Sequence, residues 1–474
     1  MTSSRSHPRP STTAPLPRRW SLLAVLALAQ LMIALDTTVI TIALPSAQAD
    51  LGFPDGARQW VVTGYALTFG SLLLLSGRLA DRWGRERLLV VGLAGFAVTS
   101  AVGGAASTVA VLVAARVGQG VFAALLAPAA LALVSTTFTD PAERGRAFGI
   151  FGSVAMVGTT AGLLLGGALT QAFSWRWTMF VNIAVAIPAV VGAVVLAPAS
   201  DRRVGRRVDL LGATTVTLGL FSLVYGTSRA EVAGWSAPGT VGPLVASGVL
   251  LAAFVVAQTR AADPLLPLRI LTDRGRGAAL VALLLSSAGL FTTFLFLPFY
   301  LQSTLGYGQI RTGLAFLPVP VALVLAAAVI GPALGKRSGP RVVVPVGLLT
   351  AGAGELLFTR IDPHSEYGAD LLPSLVLIGA GVGLVIATAT ASATARLGDD
   401  LAGAAAASVN TAQQIGGSVG VAVLSTVAAA AARDSTAGDA TVHGYSTAFG
   451  WTAAVFLTGA VLTALITPSK GPTA

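Results

Sequence analysis

The chain has 474 residues, 54% of them hydrophobic and 11% charged, with a net charge of +10. Soluble domains carry roughly 25% charged residues, so this composition excludes a water-covered globule and points to lipid as the solvent. The basic excess is mostly arginine in short loops, which argues for membrane orientation and against nucleic acid; with no cysteine and three scattered histidines (His7, His364, His443), disulfides and metal-ligand clusters are excluded too.

Apolar runs of about 20 residues, enough to cross a bilayer, recur along the whole sequence. A basic tail ending at Arg18-Arg19 leads into the first, 20–44, which is an uncleaved span because it continues to Leu44 and others follow. Asp36 lies inside it, eight residues before Leu44 and so about 12 Å from that end. A carboxylate within a span is costly, which makes Asp36 a functional candidate. The second run, 58–79, carries Tyr65 and feeds a charged loop, Gly77-Arg-Leu-Ala-Asp81-Arg82-Trp-Gly84-Arg85-Glu-Arg87. Gly77 and Gly84 permit a tight turn there, and Asp81 can pair with its arginines or a helix N-terminus. The plainer alternative is that those arginines only set orientation.

Runs 88–107 and 109–134 follow. Arg116 lies seven residues into the latter, about 10 Å deep, so it matches Asp36 in depth and could neutralise it. Either Asp36 takes a proton or a cationic substrate with Arg116 tuning it, or the two form a structural ion pair. Gln119, three residues on, adds an amide. Run 146–170 has a glycine face of Gly158, Gly162, Gly166 and Gly167 suited to close helix packing.

Beyond 176–197 come 210–228, 239–259, 277–301, with Tyr300 at its end, and 311–332. Run 341–360 holds Glu355, which either is a proton or cation site or snorkels to the loop near Arg360 and Asp362. Runs 371–392, 402–431 and 446–467 complete fourteen. Asn410, Gln413 and Gln414 in the thirteenth could bind substrate or bridge helices. Tyr65 and Tyr300 could line an aromatic pocket or simply be interfacial. There is no phosphate-binding loop, so ATP hydrolysis by that route is excluded.

Twenty-three of the thirty Lys and Arg residues fall on the side of the N-terminus and six on the other, with Arg116 inside a span. That asymmetry makes both termini cytoplasmic. The charged loop also recurs loosely as Gly331-Pro-Ala-Leu-Gly-Lys-Arg-Ser-Gly339, the trace of two six-helix units in one orientation. The expected organisation is a cytoplasmic tail (1–19), a six-helix lobe (20–197), two inserted spans (198–276), a second six-helix lobe (277–467) and a short tail (468–474).

The loop Gly77 to Arg87 resembles the signature loop of the major facilitator superfamily. Leu35-Asp36-Thr37-Thr38 through Pro45 and Leu112 through Arg116 to Gly120 are similar to motifs of its fourteen-span drug–proton antiporters. So are Tyr300-Leu-Gln302 with Leu305-Gly306-Tyr307 and Gly313, and Asn410-Thr411 with Gln414-Ile-Gly-Gly417. The resemblance implies an all-α membrane fold of two six-helix lobes plus two spans, a latch at Gly77, Asp81, Arg82, Gly84 and Arg85, and a monomer in a bacterial cytoplasmic membrane. It further implies a non-enzymatic, cofactor-free exporter of amphipathic or cationic compounds, drugs or antibiotics, powered by the proton gradient. Leu163 departs from the pattern, since similar antiporters carry proline there. That keeps an uptake symporter or a dedicated metabolite transporter as the alternative.

Overall fold

The structure, a computed structural model, describes residues 16–138, 140–197, 209–261, 264–265, 272–394, 399–434 and 440–467. Helices α1 (Leu16–Leu51), α2 (Asp55–Trp83), α3 (Arg85–Gly104), α4 (Val109–Thr137), α5 (Pro141–Ala172) and α6 (Trp177–Leu196) come first. Then follow α7 (Leu210–Ala233), α8 (Pro238–Arg260) and α9 (Arg274–Phe299, ending in a π turn, Tyr300–Thr304). α10 is broken into Gln309–Phe316, Pro318–Leu325, a π turn Ala326–Ile330, and Gly331–Ser338. α11 (Pro340–Phe358), α12 (Leu372–Thr394), α13 (Asp399–Asp434) and α14 (Ala440–Ile466) complete the chain. Thirteen of these, among the described residues, are long and apolar enough to cross a membrane. α2, 29 residues long with charge at both ends, makes fourteen helices of spanning length.

Local chemistry sets the helix starts. Asp140, Thr108, Asp209 and Asp273 each accept from a backbone N–H three residues on, capping α5, α4, α7 and α9. Large apolar side chains such as Val98, Val191, Val194 and Leu465 stand exposed on the outer helices, as a lipid-facing surface requires.

The first run does not end at Leu44. α1 continues through Pro45 to Leu51, so Asp36 stands about 22 Å from that helix end and not 12 Å. Pro45 removes one main-chain donor, and beside it Gln302 donates to the Ile42 carbonyl at 3.0 Å.

Within the first lobe α1 packs on α5 and α6, α3 on α4 and α6, and α2 on α4. The second lobe repeats these pairings: α9 on α13 and α14, α11 on α12 and α14, α10 on α12. The lobes meet along α2–α13 and α5–α10. α7 and α8 pack on each other, and α7 lies against α2 and α13. The repeated loop is equally visible, since Gly84 (φ 97°) and Gly339 (φ 68°) make the α2–α3 and α10–α11 turns in a conformation that favours glycine.

An even number of crossings returns the chain to its starting side, here called the terminal face. On the opposite, far face the lobes are bridged. Gln309 donates to Ser46 Oγ at 3.3 Å, Ile310 N to Gln171 Oε1 at 3.4 Å, and Arg58 to the Tyr445 hydroxyl at 3.1 Å. The Arg58 guanidinium also lies 3.9 Å over the Phe299 ring. This conformation is closed on the far face.

Candidate functional site

Four helices of the first lobe bring a polar network to Asp36, and a fifth adds a carbonyl and a ring. Asp36 is on α1, Ser100 on α3, Arg116 and Gln119 on α4, and Asn182 on α6. Arg116 and Gln119 share one helix face because they are three residues apart, and Arg116 Nη1 donates to Gln119 Oε1 at 2.7 Å. Asp36 Oδ2 accepts from Arg116 Nη1 at 2.5 Å, while Oδ1 accepts from Gln119 Nε2 and Asn182 Nδ2, each at 2.8 Å. Gln119 Nε2 also reaches Ser100 Oγ at 2.8 Å.

α2 supplies the rest. Arg116 Nε donates to the Val61 carbonyl at 3.1 Å, and the guanidinium carbon stands 4.5 Å from the Tyr65 ring centroid, a favourable cation–π placement. The approach of α2 to α4 depends on Gly120, where a Cβ would come within 2.5 Å of the Tyr65 carbonyl oxygen. Both members of the pair are buried. A buried ion pair is tolerated when further hydrogen bonds hold its polar atoms; here both Asp36 oxygens and Arg116 Nε and Nη1 are bonded. Without the Asp36 charge, Arg116 would keep only neutral acceptors, the Val61 carbonyl and Gln119 Oε1, and be a buried charge without a counter-ion.

The second buried carboxyl is different. Glu355 on α11 is also 0% exposed, so it does not snorkel to the loop. Thr293 on α9 lies 2.7 Å from Oε1, and Oε2 has no partner among the described residues.

The remaining candidates lie apart from both. Asn410, Gln413 and Gln414 sit where α13 meets α2: Thr411 donates to the Gly70 carbonyl at 3.2 Å, and a Cβ on Gly70 would stand 2.6 Å from Gln414 Cβ. Tyr300 is wholly buried and donates to the Asp362 carbonyl at 2.6 Å, so it fastens the far end of α9, far from Tyr65 under Arg116. Gly158, Gly162 and Gly166 let α5 approach Ala34, Leu35 and Val39 of α1, whereas Gly167 faces Gln309 across the lobes. Leu163 is buried, and a Cβ on Gly313 of α10 would come within 2.5 Å of its carbonyl oxygen. In the loop motif, Arg82 is exposed and Arg85 half-buried around Gly84. Gly77 lies within α2, and the side chain of Asp81 lies outside what the structure describes. Asn182, Ser100 and Thr293 escaped the sequence reading; each is a polar residue inside an apolar run, the signal that could have found them.

Comparison with known proteins agrees with this architecture. The family model of the Major Facilitator Superfamily matches residues 26–421. The chain is 46% identical over 469 residues to the puromycin resistance protein pur8 of Streptomyces alboniger, covering 96% of this chain and 93% of that protein. It is 38% identical over 469 residues to the cephamycin export protein CmcT of Amycolatopsis lactamdurans, covering 98% and 96%. The crystal structure of the nucleoside transporter NupG matches with a TM-score of 0.66 over 94% of this chain and 100% of that one, at 12% identity, a likeness of fold.

Proposed function

Because the chain belongs to the Major Facilitator Superfamily and is a multi-pass drug-efflux transporter within it, we propose that protons drive export through the Asp36–Arg116 pair. The observation that carries this reading is the pair itself, a buried carboxylate–guanidinium contact joining α1 to α4 and held by neighbouring amides and a main-chain carbonyl.

Alternating access supplies the cycle. The terminal face is the cytoplasmic one in this reading, because the arginine asymmetry favours it. The conformation with the far face closed is then the inward-facing one, with Asp36 ionised and Arg116 neutralised. Substrate enters from the cytoplasm or inner leaflet between the lobes, where α13 presents Asn410, Gln413 and Gln414. Opening of the far face releases substrate, and Asp36 takes a proton there. The protonated acid no longer holds Arg116, and the return to the inward state restores the pair as the proton leaves. One charge moving through 100 mV supplies about 2.3 kcal/mol, which supports a roughly 50-fold gradient of a neutral substrate at about 1.4 kcal/mol per decade.

The substrates are amphipathic organic compounds, antibiotics of the kind for which the relatives are named. The transporter works as a monomer in a bacterial cytoplasmic membrane, with both termini inside and the proton gradient in place of any cofactor. Puromycin accumulation in cells tests the scheme. Low accumulation in energised cells, raised by a protonophore and by Asp36→Asn, is the expected result; accumulation indifferent to the protonophore would remove proton drive.

A further inference from the structure

Glu355 sits at a position that the internal repeat makes meaningful. The turn glycines Gly84 and Gly339 are 255 residues apart. The same interval carries Gly92 to Gly347, both of which face the fourth helix of their lobe, Gly92 against Leu126 and Gly347 against Gly381 and Leu384. It also carries Ser100 to Glu355. Ser100 ends the Asp36 network in the first lobe, through Gln119, so among the described residues each lobe buries a carboxyl, Asp36 on the first helix of one and Glu355 on the third of the other.

The surroundings of Glu355 are those of a neutral acid. Among the described residues no cation pairs with it. α12 has no charged residue from Leu372 to Thr394, Arg274 and Arg276 stand at the start of α9, and the titratable groups of α14, His443 and Tyr445, stand near its start. Tyr367 and Asp370 precede α12, while Arg341 and Arg360 flank the two ends of α11. Thr293 Oγ1 lies 2.7 Å from Glu355 Oε1 and 3.1 Å from the Gly289 carbonyl, and it has one proton to give. If Glu355 carries a proton on Oε1, it donates to Thr293, which donates to Gly289, and every hydrogen has an acceptor. An ionised Glu355 would be a buried charge without a counter-ion, with Oε2 unbonded.

A closure lies above it, just past the ends of the same two helices. Tyr300, in the π turn that ends α9, is seven residues after Thr293, and Asp362 lies in the loop after α11, so the Tyr300–Asp362 hydrogen bond (2.6 Å) lies about 10 Å nearer the far face along α9. We propose that Glu355 is a second proton-binding site, filled from water at the far face and sealed by the Tyr300–Asp362 contact. When the seam opens, the carboxyl O–H breaks, water takes the proton as hydronium and the hydrated carboxylate remains; refilling is the reverse. The use of that proton rests on the proton-driven reading above.

Infrared spectroscopy of the whole protein in lipid nanodiscs tests the site without any transport. The native chain is expected to show a protonated-carboxyl band at neutral pH that disappears at alkaline pH. The band should be missing in Glu355→Gln and shifted in Thr293→Val. In Tyr300→Phe it should exchange hydrogen for deuterium at least tenfold faster. A band unaltered in Glu355→Gln, or one that persists at every pH, would overturn the proton site; an unaltered exchange rate in Tyr300→Phe would overturn the seal. A titrating Glu355 in a protein whose puromycin export ignores protonophores would instead leave this site standing and remove the coupling.

Discussion

Asp36 Oδ2 and Arg116 Nη1 stand 2.5 Å apart on α1 and α4, and neither side chain is more than 2% exposed. Their strength is conditional: each charge is tolerable only while the other is present and the neighbouring amides hold their bonds. That condition gives the site a recognisable mutational pattern.

Arg116→Ala leaves Asp36 buried and unpaired, and loss of one partner of a buried pair costs about 3–5 kcal/mol. Asp36→Asn keeps the shape but strands the guanidinium. Each single variant is expected to lower the melting temperature in detergent, and the combination with Arg116→Gln to cost less than the sum of the two. Melting curves that simply add would show that the contact is not energetically coupled.

Tyr65 presents its ring to Arg116, but its hydroxyl has no partner among the described residues. Tyr65→Phe is therefore expected to keep or slightly raise thermal stability, whereas Tyr65→Ala loses about 3–5 kcal/mol of core packing. If Tyr65→Phe keeps its stability but exports less puromycin, the hydroxyl meets the substrate.

Gly120→Ala would push a methyl group into the Tyr65 carbonyl and the Phe69 amide nitrogen, at 2.5 and 3.1 Å. Overpacking of this kind costs about 1–3 kcal/mol. A reduced yield of monodisperse protein is expected, read by size-exclusion chromatography; a native yield would mean that α2 and α4 separate easily.

The far-face closure can be trapped directly because the native chain has no cysteine. Ser46 and Gln309 side chains meet across the lobes at 3.3 Å. Ser46→Cys with Gln309→Cys is expected to cross-link under mild oxidant, stop export and recover with reductant, as read by puromycin accumulation. A cross-linked protein that still exports would show that this face need not open.

Much of this was legible in the sequence. Hydropathy and arginine placement gave the helix count, and the separation of Gly84 from Gly339 marked the repeat. Asp36 and Arg116 could be paired because charge inside a span is rare. What could not be read was lateral: helical rise gives depth but not which helix faces which. Hence Asn182 and Ser100 joined the network unannounced, and Tyr300 proved to be a fastening at the end of α9. The extent of α1 was also hidden, because Pro45 reads as a stop while the second lobe braces the helix on both sides of it, through Gln302 at Ile42 and Gln309 at Ser46.

Puromycin transport driven by an imposed pH gradient, in proteoliposomes carrying either the native chain or Asp36→Asn, tests the central claim most directly. The native chain should concentrate puromycin against its gradient, while Asp36→Asn should exchange it only downhill and ignore the pH difference. Native-rate, pH-driven transport by Asp36→Asn would contradict the account and make the Asp36–Arg116 pair a structural fastening.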